Sequence, residues 1–361
     1  MRIVQMLPTI SYGDAIGNDV MALSDAIKGM GYETAVYAEN IHPKIKSDLV
    51  RHISKRSEIK EQDIILYHLS TGTKLNYELK TYPGRKIIIY HNITPPDFFN
   101  EYSENAVWLC AEGIKGMKVL AKEAAYCLAD SSFNKKDLVI AGYQCKIDVL
   151  PILIAFADYE KEPERQIIQN YTDDGYTNLL FTGRIAPNKK QEDIIRIFYQ
   201  YQKHYNPKSR LFLVGSYEGM ENYYYRLLDY ADQLGVENVV FTGHINFREV
   251  LAYYKIADAF VCMSEHEGFC VPLVEAMYFQ IPILAYDSTA IAETLGGSGF
   301  LTHTKDPLLN AGILNYILEH PLVKQALVQN EKAKLKDFEN RRIQEQFQQY
   351  IKVFLGEENE K

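Results

Sequence analysis

The residues best placed to do chemistry lie in one stretch, Ser264–Met277, which follows a predicted strand at Ala259–Met263 and opens a predicted helix. Backbone N–H groups and the positive end of the helix dipole make the start of such a helix a natural anion site. Glu267 and Glu275 stand eight positions apart, the first in the loop and the second in the first helical turns. A carboxylate there can accept hydrogen bonds from paired sugar hydroxyls without meeting phosphates head-on. The stretch therefore favours a ligand that carries both phosphate and hydroxyl groups.

The elements that must position these residues alternate between short apolar runs and helical patterns, which predicts a parallel sheet with crossover helices. The alternation stops at a polar stretch and then restarts, so we predict two doubly wound α/β domains. Ligands of such sheets bind outside the carboxyl ends of the strands, which places the chemistry in an interdomain cleft. The predicted strands are Ile3–Leu7, Glu33–Tyr37, Ile64–Tyr67, Lys86–Tyr90, Tyr126–Ala129, Asn178–Thr182, Arg210–Val214, Asn238–Thr242, Ala259–Met263 and Ile281–Ala285.

The domain boundaries follow from the same pattern. We predict an N-terminal Rossmann-like domain at 1–157 and a C-terminal Rossmann-like domain at 177–337. The intervening residues 158–176 have adjacent acids, a Pro and a Gly but few aliphatic side chains, which is typical of a linker. Residues 338–361 are predicted to form a C-terminal helical segment that can pack back on the N-terminal domain.

Composition and charge exclude several classes of protein. The 361 residues are 47% hydrophobic, which excludes a disordered chain. A net charge of -8 argues against a nucleic-acid partner, and the five cysteines form no CxxC pair of a zinc site. No stretch reaches the roughly 18 apolar residues of a membrane span, and the first strand starts without a charged leader. The sequence therefore predicts a cytoplasmic protein.

Four segments together resemble glycosyltransferase family 4, the retaining nucleotide-sugar enzymes of the GT-B fold. Glu267–Met277 resembles the Glu-x7-Glu signature of that family, and Phe181–Lys189 resembles its Gly-Arg…Lys phosphate segment. Val239–Gly243 is similar to its base-binding turn, and Ala257–Val261 to the strand that leads into the signature. The order and spacing of all four match over about residues 178–301. The resemblance implies a GT-B fold of two Rossmann-like domains.

The resemblance also implies roles for individual residues. Arg184 and Lys189 would bind the donor pyrophosphate, Glu275 the nucleotide ribose, and Glu267 the hydroxyls of the donor sugar. Two fixed cations beside a leaving diphosphate stabilise the charge that develops as the glycosidic bond breaks. The predicted catalytic residues are His91, Arg184, Lys189 and Glu267. The predicted donor-binding residues are Gly13, Asp14, Gly17, Asn18, Gly183, Arg184, Lys189, Gly243, His244, Glu267, Gly268, Phe269, Cys270, Val271 and Glu275.

Two features of the N-terminal half leave alternatives open. Ser11–Asp19 lies between the first strand and its helix, where family members carry a Gly-rich loop near the diphosphate, although the same residues could form only a tight turn. His91 follows the strand Lys86–Tyr90, and a similarly placed histidine in family members contacts the donor sugar. The alternative is a histidine that fixes its loop together with Asn92. His68 also follows a strand end and ranks second.

A third feature is the segment of residues 44–60, which contains six basic side chains with Ile45, Leu49 and Ile53 at helical spacing. A basic amphipathic helix can lie on an anionic membrane surface. The interpretation that we favour is an ordinary helix with a solvated charged face.

Taken whole, the resemblance implies a retaining glycosyltransferase that moves a sugar from a nucleotide-diphosphate sugar to an acceptor hydroxyl. It points to surface polysaccharide or glycolipid assembly, with a mannosyl- or glucosyl-type donor. A sugar, glycan or lipid-linked acceptor would bind to the N-terminal domain, with peripheral membrane contact through that domain as an option. No cofactor and no metal are expected, because Arg184 and Lys189 supply the positive charge. Two alternatives stay open: a non-catalytic sugar-nucleotide-binding subunit of a transferase complex, and a same-fold nucleotide-sugar epimerase.

Overall fold

The computed structural model describes residues 1–11, 13–45 and 48–357. The chain divides into two compact units. Unit 1 comprises residues 1–96, 107–155 and 338–361, and unit 2 comprises residues 97–106 and 156–337. The short stretch 97–106 therefore belongs to unit 2, although the chain on both sides of it belongs to unit 1. Residues 358–361 of the predicted C-terminal segment lie outside the described ranges.

Unit 1 is built on a seven-stranded parallel sheet of order β3-β2-β1-β4-β5-β6-β7. Every residue of the central strand β4 is buried, as expected where helices cover both faces of a parallel sheet. The strands are β1 (Ile3–Ile10), β2 (Val36–Ile41), β3 (Val50–His52), β4 (Ile64–Leu69), β5 (Arg85–Tyr90), β6 (Tyr126–Ala129) and β7 (Ile147–Val149). Helices α1 (Ala15–Gly29), α2 (Leu75–Glu78), α3 (Glu104–Leu120) and α4 (Ser132–Ala141) lie between the strands in the chain.

Unit 2 repeats this plan with a six-stranded parallel sheet of order β10-β9-β8-β11-β12-β13. Its strands are β8 (Thr177–Thr182), β9 (Ser209–Val214), β10 (Val239–Gly243), β11 (Ala259–Cys262), β12 (Ile283–Tyr286) and β13 (Phe300–Thr302). Its helices are α5 (Arg165–Tyr171), α6 (Gln191–His204), α7 (Glu221–Leu234), α8 (Phe247–Ile256), α9 (Val271–Tyr278), α10 (Ile291–Leu295), α11 (Pro307–Glu319) and α12 (Pro321–Leu335). The predicted fold class, two doubly wound α/β units, is confirmed.

Each sheet has one point where the strand order reverses. In unit 1 it lies between β1 and β4, and in unit 2 between β8 and β11. At each reversal, the loops after the two neighbouring strands lead to opposite faces of the sheet, which leaves a crevice between them where ligands bind. In unit 2 these loops begin at Gly183 and at Met263, so the fold positions the two most informative sequence segments at the same point.

One prediction on unit 1 is wrong: the basic segment does not form an amphipathic helix. Val50–His52 pairs with β2 as an edge strand, with Val50 opposite Val36, and Ile53–Glu58 forms a 3-10 helix. The backbone hydrogen bonds of the sheet edge outweigh the helical spacing of the apolar residues. Lys46 and Ser47 of this segment lie outside the described residues.

The predicted linker and the predicted C-terminal helical segment each belong to one of the two units. Residues 158–176, the predicted linker, contain α5 and belong to unit 2, where the ring of Tyr159 packs on Phe247 and Tyr278. The last helix, α13 (Asn340–Leu355), belongs to unit 1. It buries residues 343, 347 and 351, four positions apart, in the core that also holds the buried face of α1. No helix in the described part of the chain is long and apolar enough to cross a membrane.

Candidate functional site

Glycines bring the ends of three neighbouring strands of unit 2 together. Gly183 follows β8 with φ +138°, and Gly215 follows β9 with φ +155°. A Cβ on Gly215 would stand 2.0 Å from the carbonyl oxygen of Gly183, so this close approach requires glycine. Gly243 ends β10 with φ +64° and bridges to Gly215, and His244 beyond it is exposed. Three of the predicted donor-binding residues therefore line one edge of the sheet.

Arg184 follows this glycine turn with an exposed side chain. Its Nη2 donates to the backbone carbonyl of Glu218 at 2.7 Å. A guanidinium has five N–H donors, so this single hydrogen bond holds the side chain and leaves capacity for an anion.

Lys189 and Glu267 meet in an ion pair. The Nζ of Lys189 lies 2.6 Å from Oε2 of Glu267, with the two side chains 22% and 9% exposed. Asn188 links their loops, because its side chain donates to the carbonyl of His266 and its own carbonyl accepts from Glu265. Burial alone would lower the pKa of Lys189, but the neighbouring Glu267 carboxylate raises it above its usual value. The lysine therefore stays a cation in a poorly solvated place, where its charge acts on an anion with little screening.

Glu275 lies in α9 and is held by two tyrosines. Tyr159 donates to Oε1 at 2.9 Å, and Tyr254 donates to Oε2 at 2.5 Å. Burial raises the pKa of Glu275, and the two hydroxyl donors partly offset that rise. Each carboxylate oxygen can accept a second hydrogen bond, so the pair of tyrosines orients the group without saturating it. Sequence reasoning missed both tyrosines, since Tyr159 lies 116 positions from Glu275 in the predicted linker.

The turn that leads into α9 brings the start of a helix to the carboxyl end of β11. Cys270 occupies the N-cap position in the left-handed conformation with φ +74°, and Phe269 beside it is buried. The carbonyl of Phe269 accepts from the hydroxyl of Thr294, which fixes the loop. Gly268 and Val271 flank these two residues in the same turn. Pro272 has no N–H and the N–H of Leu273 donates to the carbonyl of Cys270, so the positive end of the α9 dipole, more than a set of unpaired N–H groups, favours an anion here.

His266 is a buried neighbour of this turn. Burial lowers its pKa to about 4, so the ring is neutral at physiological pH. Its ring lies 6.0 Å from that of Phe98, one of the residues of the 97–106 stretch. A neutral ring beside Phe98 fits a structural neighbour of the site and not an acid–base catalyst.

In unit 1 the loop after β1 forms the N-terminal turn of α1. Gly13 has φ +79°, and Asp14 caps the helix by accepting from the N–H of Gly17. A Cβ on Gly17 would stand 2.5 Å from the carbonyl oxygen of Ser11, so this glycine too is required by close packing. Asn18 closes the turn by donating its backbone N–H to Asp14. These contacts fit a tight turn as well as a ligand loop, and Tyr12 lies outside the described residues.

His91 belongs to a chain of buried polar side chains in unit 1. Its Nδ1 lies 2.9 Å from Oδ2 of Asp130, and its Nε2 lies 2.8 Å from Nδ1 of His68. Nε2 of His68 in turn lies 2.9 Å from Oε1 of Gln5. The amide of Gln5 donates to the carbonyl of Val20 at 2.7 Å. We call this set, from Asp130 through His91 and His68 to Gln5, the histidine chain.

The hydrogen bonds determine where the protons of the histidine chain lie. The carbonyl of Val20 can only accept a hydrogen bond, so the amide nitrogen of Gln5 faces Val20 and the amide oxygen of Gln5 faces His68. Since that oxygen only accepts, Nε2 of His68 carries a proton and donates it. Burial lowers the pKa of His68 far below its usual value, so the ring is neutral and its Nδ1 accepts from His91. His91 then carries protons on both nitrogens, facing His68 and Asp130. Although burial alone lowers its pKa, the Asp130 carboxylate raises the pKa of His91 above its usual value.

This arrangement bears on the role predicted for His91. Both ring nitrogens are engaged, and the side chain is 2% exposed. A sugar hydroxyl could reach the ring only if one of these hydrogen bonds opened. Asn92 has φ +79° and donates to Asn134 and Asp137, so the loop is also fixed independently of His91.

Two groups of side chains in the described part bring atoms of metal-binding type within 4.8 Å of one another. One consists of Asp19, His68 and His91, and the other of Cys262, Glu267 and Cys270. In the first group the histidines already bond to each other, and Asp19 accepts from the N–H of Leu153 at 2.8 Å. In the second group Glu267 pairs with a lysine. Both groups are thus accounted for by their own hydrogen bonds and ion pairs, and metal independence stays a prediction.

Comparison with known proteins places the site of unit 2 in a family context. Residues 161–335 match the family model described as Glycosyl transferases group 1. An uncharacterized 41.2 kDa protein in the cps region of Klebsiella pneumoniae is 24% identical over 221 residues, or 60% of this chain and 58% of its own. O-antigen chain mannosyltransferase B of Escherichia coli is 22% identical over 188 residues, or 51% of this chain and 49% of its own. The chain thus spans about half the length of the curated relatives that it matches.

Solved structures match the fold over nearly the whole chain. The Anabaena protein HepE in complex with UDP-glucose superimposes with a TM-score of 0.76 at 18% identity, covering 98% of this chain and all of that one. At this identity the likeness extends to the fold, which is that of GT-B glycosyltransferases. The family match covers α5, the glycine turn, Lys189 and both glutamates. Residues 161–335 are therefore similar to a glycosyl transferases group 1 domain.

Proposed function

We propose that this protein is a retaining glycosyltransferase that uses a nucleotide-diphosphate sugar as donor. The observation that carries the proposal is the meeting of Lys189 with Glu267 at the strand-order reversal of unit 2. Arg184 and the positive end of the α9 dipole supply further positive potential to the same edge. A cationic edge next to a carboxylate suits a ligand with a diphosphate at one end and hydroxyl groups at the other.

In this proposal each part of the site has a separate task. Lys189 and Arg184 bind the diphosphate and stabilise the negative charge that grows on it as the bond to the sugar breaks. Glu275, oriented by Tyr159 and Tyr254, accepts hydrogen bonds from the ribose hydroxyls. Glu267 accepts from hydroxyl groups of the donor sugar. The glycine turns at Gly183 and Gly243 leave room for the nucleoside.

The proposed reaction proceeds on one face of the sugar. The acceptor oxygen forms a bond with the anomeric carbon as the bond from that carbon to the diphosphate oxygen breaks. The acceptor proton passes to the leaving phosphate, so no enzymic nucleophile and no external base are required. Attack from the side that the leaving group vacates keeps the anomeric configuration.

The biological setting belongs to the proposal as well. The matched relatives come from a cps region and from O-antigen chain synthesis, and the HepE complex contains UDP-glucose. They favour a hexosyl transfer in surface polysaccharide or glycolipid assembly. A cytoplasmic location is a further part of the proposal. The described basic residues near β3 do not support membrane contact through an amphipathic helix.

The test begins with binding and ends with product analysis. A thermal-shift panel of UDP, GDP and ADP and of UDP-glucose and GDP-mannose should identify one nucleotide that raises the melting temperature, with its sugar conjugate also binding. Proton NMR of the product should then show the anomeric configuration of the donor. Inverted product would refute the retaining mechanism. Tight binding without transfer to any acceptor would favour the non-catalytic subunit, and conversion of the free nucleotide sugar would favour the epimerase.

A further inference from the structure

Two cysteines of unit 1 lie side by side near one edge of its sheet. Cys127 belongs to β6, and Cys145 comes two residues before the edge strand β7. Their sulfur atoms are 3.5 Å apart. The backbone holds the two chain segments together, because the N–H of Cys127 donates to the carbonyl of Lys146 at 3.0 Å. Both side chains contact the same apolar cluster, so they lie on one face of the sheet. We call Cys127 and Cys145 the thiol pair.

The two members of the thiol pair differ in their access to solvent. The side chain of Cys127 is fully buried, whereas Cys145 is half-buried between the exposed residues Gln144 and Lys146. A hydrogen bond from the Cys127 thiol lowers the pKa of Cys145, and burial raises the pKa of Cys127. A thiolate, and not a thiol, is the form that attacks another sulfur atom. Cys145 is therefore the member that can react first with a reagent from solvent.

The other three cysteines differ from the thiol pair. Cys262 and Cys270 lie close together beside Glu267, but both are buried, so a reagent from solvent reaches neither of them unless the turn before α9 opens. The thiol of Cys262 also donates to the hydroxyl of Ser264 at 3.4 Å. Cys110 is half-buried in α3, which makes it a suitable control for the exposure of Cys145.

The segment between the two cysteines carries one end of the histidine chain. Cys127 and Cys145 are 18 positions apart, and α4 lies between them. Asp130, whose carboxylate contacts His91, belongs to this segment. A bond between the two sulfur atoms would close the segment into a loop. In the chain-entropy model such a loop restricts the unfolded chain and thereby stabilises the folded one.

We propose that the thiol pair is a reversible disulfide site, oxidised by low-molecular-weight disulfides such as oxidised glutathione, and that the disulfide stabilises unit 1. Disulfides that form in reducing compartments are usually transient and redox-sensing, and this use fits a pair that is reduced in the structure. The sulfur atoms start 3.5 Å apart and a disulfide bond is about 2.05 Å long, so bond formation needs an approach of only about 1.5 Å.

The proposed exchange has two steps. The Cys145 thiolate forms a bond with one sulfur of oxidised glutathione, whose own S–S bond breaks, and the first glutathione leaves as a thiolate. Cys127 then loses its proton and forms a bond with the sulfur of Cys145, which releases the second glutathione. The two leaving thiolates take up the two protons that the thiol pair has lost. Two cysteines are oxidised, and one glutathione disulfide is reduced to two thiols.

The test maps the thiols of the full chain by mass spectrometry. The folded protein is treated with oxidised glutathione, alkylated with N-ethylmaleimide in denaturant and digested. In the wild type we expect one disulfide, between Cys127 and Cys145, with the other three cysteines alkylated. Cys127→Ala should retain glutathione on Cys145, because the second step is missing, whereas Cys145→Ala should take up none on the buried Cys127. Cys110→Ala is the matched control and should form the same disulfide as the wild type.

A second measurement is the melting temperature before and after oxidation. It should rise by at least about 5 °C in the wild type and return when dithiothreitol is added, and it should not rise in Cys127→Ala. Three results would overturn the proposal: no loss of thiols, equal uptake of glutathione by Cys127→Ala and Cys145→Ala, or a disulfide that leaves the melting temperature unchanged. None of these measurements involves a nucleotide or a sugar, so the proposal stands or falls independently of the proposed function.

Discussion

The histidine chain lies at the strand-order reversal of unit 1, and the proposed donor site, which contains Lys189, Glu267, Arg184 and Glu275, lies at that of unit 2. The two polar clusters differ in how many of their hydrogen-bonding groups already have partners within the protein. In the histidine chain each ring nitrogen has a partner, and His68 is fully buried. In the proposed donor site Arg184 is exposed, and each carboxylate oxygen of Glu275 can accept a second hydrogen bond. A satisfied buried network holds its members in place, whereas groups with unused capacity are available to a ligand.

This difference separates the predicted site residues that are available to a ligand from those that position their neighbours. In the proposed function Lys189, Arg184 and the two glutamates bind the donor. Two tyrosines orient Glu275, the carbonyl of Glu218 holds Arg184, and Lys189 and Glu267 hold each other. His91 is arranged to position its neighbours unless a ligand displaces one of its hydrogen bonds. The following experiments test this contrast, beginning with the largest expected effect.

The largest effect is expected from Lys189→Ala combined with Arg184→Ala. Loss of donors to the leaving diphosphate should lower transfer at least about 100-fold, on the order of 2.7–4 kcal/mol for each lost donor. Lys190 cannot substitute readily, because it pairs with Glu192 and Glu265, so a triple variant should lose little more. Lys203→Ala, an exposed lysine at the end of α6, is the control. Full turnover in the double variant would remove the diphosphate role from both residues.

The two glutamates should separate nucleotide binding from sugar transfer. Glu275→Ala should weaken a nucleoside diphosphate and its sugar conjugate alike, about 10- to 100-fold, because ribose is common to both and hydrogen bonds to a charged group are strong. Glu267→Ala should spare the nucleoside diphosphate but depress turnover. Isothermal calorimetry on both variants provides the comparison, and the opposite ranking would exchange their roles.

His91→Ala tests whether unit 1 contributes to the reaction. The sequence predicts that transfer falls at least about tenfold while nucleoside diphosphate affinity stays within about threefold, or roughly 0.7 kcal/mol. Because the variant leaves Asp130 without its histidine, chemical unfolding must be measured alongside transfer. His68→Gln serves as the matched change deeper in the histidine chain. Equal losses of stability and activity in both variants would assign His91 to positioning alone.

A smaller effect is expected from the tyrosines that hold Glu275. Tyr159→Phe and Tyr254→Phe each remove one hydroxyl donor and keep the ring. Losing one hydrogen bond of about 1–1.5 kcal/mol should weaken nucleotide binding about five- to tenfold. Tyr253→Phe, on the same helix but without a bond to Glu275, is the control. Unchanged affinity in both variants would show that Glu275 needs no orientation by its neighbours.

The smallest effect on donor binding and transfer is expected from Asp19, whose titration bears on the stability of unit 1. Burial raises the pKa of Asp19 from 3.8 to about 7, so the folded chain binds a proton that the unfolded chain releases between these values. The stabilising contribution of that proton is present at low pH and is lost as pH rises from about 4 to 7, by at most about 1.4 kcal/mol per pH unit. Asp19→Asn removes the titration and keeps an acceptor for the N–H of Leu153.

Urea unfolding from pH 4 to 8 provides the comparison of Asp19→Asn with the wild type. The unfolding free energy of the variant should gain on that of the wild type as pH rises to about 7, and the difference should then level off. If the unfolding free energies of the two proteins run parallel from pH 4 to 8, burial does not raise the pKa of Asp19.

Local sequence patterns were sufficient to predict the two α/β units and the placement of Glu267 and Glu275 on either side of one turn. Both follow from short-range rules: buried strands read as apolar runs, and a loop between a strand and a helix leaves backbone donors at the helix start. The same rules gave a helix at residues 44–60, because they cannot weigh helical spacing against pairing with a distant strand edge.

Contacts between distant residues were decided by the tertiary structure. Tyr159 and Glu275 meet over 116 positions, and His68, His91 and Asp130 are joined only because β4, β5 and β6 lie side by side. The docking of residues 97–106 on α7 likewise has no local signal, since it depends on Tyr102 finding Tyr223 on another element. Residue types and spacing determined which groups could take part in chemistry, and packing determined which of them remain free to meet a ligand.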